Sequence, residues 1–130
     1  MIVNQNLAKK ERLNSKKDIE SVFTNGDVIK AYPILFSYEV IPSDKPQISV
    51  LFTVSKKKQK LAVNRNKIKR RLKEAYRLNK LSLCEFSLES KTSINLMIIQ
   101  VTGDDVSFST IEKKMIKGLS KLVDSLSNVN

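Results

Sequence analysis

An α/β sandwich, with helices laid over a sheet in a single domain, is the architecture this sequence predicts. Three observations carry it. Residues 34–41 and 48–54 are rich in β-branched and aromatic side chains and are bounded by turn residues. Residues 94–101 form an almost unbroken apolar run, as expected of a strand buried on both faces. Between and around these runs, apolar residues recur at helical spacing.

Taken in order, residues 1–13 are polar and read as a flexible N-terminal segment, with the folded domain spanning 14–127. Asn14 or Ser15 can cap a first helix, and Asp18 suits the positive end of its dipole. Ile19, Val22 and Phe23 share one face of that helix, which Asn25-Gly26 ends. ILFSYEVI (34–41) and ISVLFTV (48–54), joined through Pro42–Pro46, are expected to form an antiparallel pair. Alternation puts Leu35, Ser37, Leu51 and Thr53 on faces opposite those of Ile34, Phe36, Phe52 and Val54. A lysine-rich loop, 55–60, leads into a central helix over 62–79, whose Ile68, Leu72 and Ala75 would face the sheet. Residues 80–92 show no clear period and read as a loop or a fraying helix end. After the strand 94–101, Phe108, Ile111, Met115, Leu119 and Leu122 mark an amphipathic helix reaching Leu126, capped by Ser107 or Ser109.

Composition narrows the chemistry. Lys plus Arg number 24 against 13 Asp plus Glu, a formal charge of +11, and such an excess usually has an anionic partner. Nucleic acid is the leading candidate, ahead of an acidic membrane surface. The chain has no histidine and one cysteine, Cys84. A Ser-His-Asp or Cys-His nucleophile system, an ordinary zinc site and an intramolecular disulfide are thereby excluded. No apolar run approaches the roughly 18–20 residues needed to span a bilayer, and the N-terminus lacks the apolar centre of a secretory signal. A cytoplasmic, soluble protein is expected.

The charge is concentrated. Lys56 to Lys80 hold 12 of the 24 positive residues and one acid, Glu74. On a helix Arg65, Lys69 and Lys73 form one row, Asn66 and Arg70 a second, Lys67 and Arg71 a third. Like charges four apart destabilise an isolated helix, so a purely structural surface would intersperse acids. The arrangement instead suits polyanion binding. Arg and Lys neutralise phosphates and release counterions, and Arg adds a planar fork that Lys lacks. Lys56, Lys57, Arg65, Asn66, Lys67, Lys69, Arg70, Arg71 and Lys73 are the candidate RNA-binding residues. Asp104-Asp105 are the only adjacent carboxylates and read as a loop before the last helix, not as a metal site.

Ala62-Val63, Arg65-Asn66 and Lys69-Arg70 together resemble the signature of the bacterial ribonuclease P protein family. Arg12-Leu13, Val22-Phe23, Asn25-Gly26 and Thr53-Val54-Ser55-Lys56-Lys57 stand in that family's order and near its spacing. The resemblance runs from about residue 12 to 80, and beyond that in element order. It implies an αβββαβα fold, ribosomal protein S5 domain 2-like, with a left-handed crossover. It implies a subunit of an endoribonuclease that removes the 5′ leader of precursor tRNA, with the catalytic centre and most of the Mg²⁺ held by a partner RNA and no catalytic residue or metal ligand in this chain. It also implies a leader-binding cleft between the first helix and the sheet. Phe23 matches an aromatic cleft position, with an ordinary core side chain as the other reading, and Ser37, Thr53 and Lys57 fall near further cleft positions. The chain departs from the family in four places: Ile19 replaces a common cleft Phe, Lys67 and Lys73 replace frequent Arg, and the loop Lys58–Leu61 lacks a common glycine.

Two rival readings differ in class. A structural or ribosomal-type RNA-binding protein would share the composition but have no role in cleavage. A DNA regulator would set the basic helix in a major groove, which requires a paired helix-turn-helix. Here that helix is flanked by strands and a lysine loop, so DNA is not expected as a partner. Nor is a membrane, since the apolar row is narrow and the chain has no Trp.

Overall fold

The computed structural model describes residues 12–13 and 15–127. Ser15 caps α1 (Lys16–Asn25) by accepting a hydrogen bond from the Asp18 amide at 3.4 Å, and Gly26 closes it by donating to the Val22 carbonyl at 3.1 Å. The chain then forms β1 (Asp27–Ala31), β2 (Ile34–Pro42), β3 (Ile48–Val54), α2 (Ala62–Asn79), α3 (Leu81–Ser90), β4 (Thr92–Gln100) and α4 (Phe108–Ser127). The last helix takes Ser107 as its cap, whose hydroxyl accepts from the Thr110 amide at 3.3 Å.

Among the described residues the sheet has four strands in the order β1-β2-β4-β3. β2 pairs antiparallel with β1 and with β4, while β3 lies parallel to β4. This corrects the expected β2–β3 pair, because β4 inserts between them. A strand as apolar as β4 gains most where both of its edges and both of its faces are covered. Its burial shows this: Ile94, Leu96 and Ile98 are fully covered on one side and Met97 is buried on the other. β1 was not legible from the residues, since DVIKA is short, half-polar and mostly exposed on an edge.

The main core lies on the face carrying Ile34, Phe36 and Tyr38 of β2, Val50 and Val54 of β3, and the even-numbered apolar residues of β4. Against it pack Ile68, Leu72, Ala75 and Tyr76 of α2 and Ile111, Met115, Leu119 and Leu122 of α4. α1 covers part of the opposite face, where Leu13, Val22 and Met97 are buried with Ile19, Leu51 and Ile99 beside them. Two expectations change here. Arg12 and Leu13, assigned to a flexible segment, bridge to Val50, and the Leu13 amide donates to the Val50 carbonyl at 2.9 Å. Residues 1–11 and Asn14, the other candidate cap of α1, lie outside the described residues. Residues 81–90, read as a loop or frayed end, form α3, which Lys91 ends in a left-handed conformation at φ 55°. Its LSLCEFSLES sequence buries only Leu83 and Ser87, so its apolar period is faint.

One glycine sets how closely α4 approaches the sheet. A Cβ on Gly118 would stand 2.0 Å from the ring edge of Phe36, which is itself fully buried. Overpacking a core typically costs about 1–3 kcal/mol, against about 1 kcal/mol that Gly→Ala returns in helix propensity. Gly118→Ala is therefore expected to lower the urea midpoint, and Phe36→Leu in the same chain to recover part of the loss. A midpoint at or above wild type would show that the ring has room to yield.

Candidate nucleic-acid interface

α2 is cationic on the outside because its inner row is fully spent on the core. Ile68 and Leu72 are 3% and 0% exposed, and Tyr76 sets its ring edge-on to Phe52 at 5.7 Å between centroids. The remaining surface carries the charge. Glu74, the one acid of the helix, is paired with Arg77 one turn on, Nε to Oε2 at 3.1 Å. That hydrogen bond holds the Glu74 carboxyl below the usual carboxylate range and raises Arg77. The pair cancels locally, so the rest of the helix remains uncompensated by its own acids.

The predicted cations do not form one uniform face. Asn66, Lys69, Arg70 and Lys73 point toward the β3 edge of the sheet. With Arg12, Leu13, Val50, Leu51 and Phe52 they line a groove of about 450 Å³, which has an apolar floor and a cationic rim. Lys67 and Arg71 lie on the other flank of α2, beside a smaller recess of about 150 Å³ shared with Gln59, Asn64, Gly103 and Asp105. Asn66, Lys67 and Arg70 are exposed, and Lys69 and Lys73 half-buried. Lys56 and Lys57 are exposed on the turn before the helix.

Arg65 and Arg71 differ from the others. Arg65 Nη1 donates to the carbonyls of Gln59 at 3.0 Å and Lys60 at 2.9 Å. Arg71 Nη1 donates to the Asp105 carboxylate and, at 3.1 Å, to the Val106 carbonyl. Both side chains are half-buried and engage the protein's own loops, a distinction that charge and spacing do not encode. Asp105 lies in the loop before α4, as read from sequence, and its pairing with Arg71 was not foreseen.

The proposed cleft residues separate as well. Phe23 is 70% exposed, which removes the reading of it as a core side chain. Ile19 is half-buried on the α1 face, beside the cluster of Leu13, Val22 and Met97. Thr53 is half-buried and lies in register with Ile99 and Leu35 across β3, β4 and β2. Lys57 is exposed just beyond the end of β3. Ser37 does not present its hydroxyl. It is 5% exposed and donates to the Val22 carbonyl at 2.8 Å, tying α1 to β2. Arg12 and Phe52, on the groove, were not among the predicted site residues; Arg12 is separated from α2 by some fifty positions of sequence, and only the fold brings them together.

Among the described residues no group of three or more His, Cys, Asp or Glu side chains is placed to hold a metal ion, and no helix is long and apolar enough to cross a membrane.

Comparison with known proteins agrees with this geometry. The family model for ribonuclease P matches residues 7–123. The ribonuclease P protein component of Porphyromonas gingivalis is 32% identical over 121 residues, covering 92% of this chain and 88% of the relative. That of Chlorobium phaeobacteroides is 34% identical over 114 residues, covering 82% and 78%. Among solved structures, the RNase P protein of Staphylococcus aureus shares the fold at a TM-score of 0.57, with 19% identity over 93% of this chain and 98% of that one. A cationic α2 on this mixed sheet, matched by family and fold over nearly its whole length, places the chain in the ribonuclease P protein family.

Proposed function

We propose that the chain serves ribonuclease P through two surfaces, one docking the catalytic RNA and one holding the 5′ leader of precursor tRNA. The docking surface is the exposed side of α2 with the lysine turn before it. The observation that carries this reading is the cationic rim of Lys69, Arg70 and Lys73, with Asn66 beside them, over a groove at the sheet edge. A rigid helix fixes the spacing of these groups, so phosphates meet them without first ordering a loop. Each neutralised phosphate releases counterions, which makes assembly steeply salt-dependent. The leader surface is the α1 side of the sheet, with Ile19, Thr53 and Lys57 around it and Phe23 exposed for stacking.

In this reading the bond cleavage belongs to the RNA. Mg²⁺, bound mainly there, supplies a polarised phosphate and an activated water. The protein's residues bind, orient and screen: their charge lowers the repulsion between two packed RNAs and thereby the Mg²⁺ concentration that assembly requires. A cytoplasmic location, where such RNAs are made, belongs to the same proposal.

Reconstitution with the ribonuclease P RNA of the same genome at low Mg²⁺ tests it. The chain is expected to stimulate precursor cleavage; RNA binding without stimulation would leave a structural RNA-binding protein in its place. Arg70→Glu is expected to weaken assembly with the RNA at least tenfold and to flatten the dependence of log K on log salt. Phe23→Ala is expected to reduce affinity for precursor but not mature tRNA, by the roughly 1–3 kcal/mol of one stacked base. Equal losses for both tRNAs would move Phe23 out of the leader surface.

A further inference from the structure

We infer that Gln59, with Gly103 and Arg65, is a positioning device that sets the Lys56–Lys58 turn in fixed register with α2. The inference rests on the reading of that turn and helix as an RNA-docking surface.

Three consecutive lysines repel one another, and a loop that merely carried them would spread. Here the turn is closed from within. The Lys58 and Gln59 amides donate to the Ser55 carbonyl at 3.2 and 3.0 Å, and the Lys57 amide donates to the Ser55 hydroxyl at 3.1 Å. It is then fastened at its Gln59 end. Gln59 Nε2 donates to the Gly103 carbonyl at 3.1 Å, while its Oε1 accepts from the Leu61 amide at 3.2 Å, at the start of α2. Arg65, one turn into the helix, reaches back to the Gln59 and Lys60 carbonyls.

Gly103 provides the seat. A Cβ there would lie 2.0 Å from the Lys58 carbonyl oxygen, so the two backbones touch only because the position has no side chain. The seat is itself braced. Gln100 Nε2 donates to the Thr102 and Asp104 carbonyls at 2.9 and 3.0 Å, and Arg71 joins the same loop to α2 through Asp105 and Val106. A closed circuit thus runs from α2 to the 101–107 loop, to the lysine turn, and back to α2. The family's loop glycine is missing from Lys58–Leu61, and Gln59 occupies that stretch.

The consequence is that a neutral side chain governs how many lysines meet phosphate together. Gln59→Ala removes no charge, so a purely structural role would leave the ionic part of binding intact. Binding of the ribonuclease P RNA of the same genome should be measured across a salt series. The triple Lys56→Ala/Lys57→Ala/Lys58→Ala variant is expected to reduce the log K–log salt slope by roughly two, at 0.7–0.9 per lost phosphate contact. Gln59→Ala is expected to reproduce most of that reduction while the chain stays folded by circular dichroism, and to add little when combined with the triple variant. Arg65→Lys, which keeps the charge but shortens the reach to the Gln59 and Lys60 carbonyls, provides the same readout should Gln59→Ala fold poorly. An unaltered slope in the charge-conserving variants, beside a reduced slope in the triple, would overturn the positioning role. An unaltered slope in the triple itself would instead remove the turn from the RNA surface.

Discussion

The burial of one row of α2 makes everything else on that helix possible. Arg65, Lys69 and Lys73, and likewise Lys67 and Arg71, repel along the helix at four-residue spacing. Each such pair costs an isolated helix about 0.2–0.5 kcal/mol, and the first turn has no side-chain cap and no acid. Against this stand Ile68, Leu72 and Tyr76, all buried. Fully burying one large apolar side chain contributes about 1.5–3 kcal/mol, so two of them already exceed the repulsion. The helix is held from beneath, and the protein can therefore carry dense charge on a rigid support.

The support depends on β4. Its two faces serve different layers: Ile94, Leu96 and Ile98 receive α2 and α4, while Met97 and Ile99 face α1 and Leu13. Its two edges also differ, β2 running antiparallel and β3 parallel. Placing β3 on the far edge brings the start of α2, the lysine turn and Arg12 to one border of the sheet. The same strand therefore positions the groove on one side and the surface under α1 on the other, which is why both proposed RNA surfaces meet along β3.

Within the cationic segment, formal charge and geometry assign different work to similar residues. Arg70 is exposed at the groove, whereas Arg65 and Arg71 chelate backbone carbonyls and a carboxylate of adjacent loops. The planar fork of Arg suits phosphate docking, while in loop fastening a single Nη1 spends its two N–H groups on two acceptors. Ser37 shows a similar division on the other face, its hydroxyl being used to hold α1 in place.

The layers, the inward residues and the region of charge follow from local pattern alone. Period-two and helical patterns report which way a side chain points, and that local information placed α1, α2, α4, β2, β3 and β4 close to where they lie. Strand neighbours emerge only with the folded packing, because alternation specifies a face and carries no record of the adjacent edge. Likewise β1 and α3 owe their form to pairing with β2 and to packing beside α4, their own apolar periods being weak. The candidate site was legible as a list of cations on one helix. Its division into groove, recess and fastened arginines depends on Arg12, Gln59, Gly103 and Asp105, which contact the basic segment through long-range packing and hydrogen bonds that no local spacing encodes.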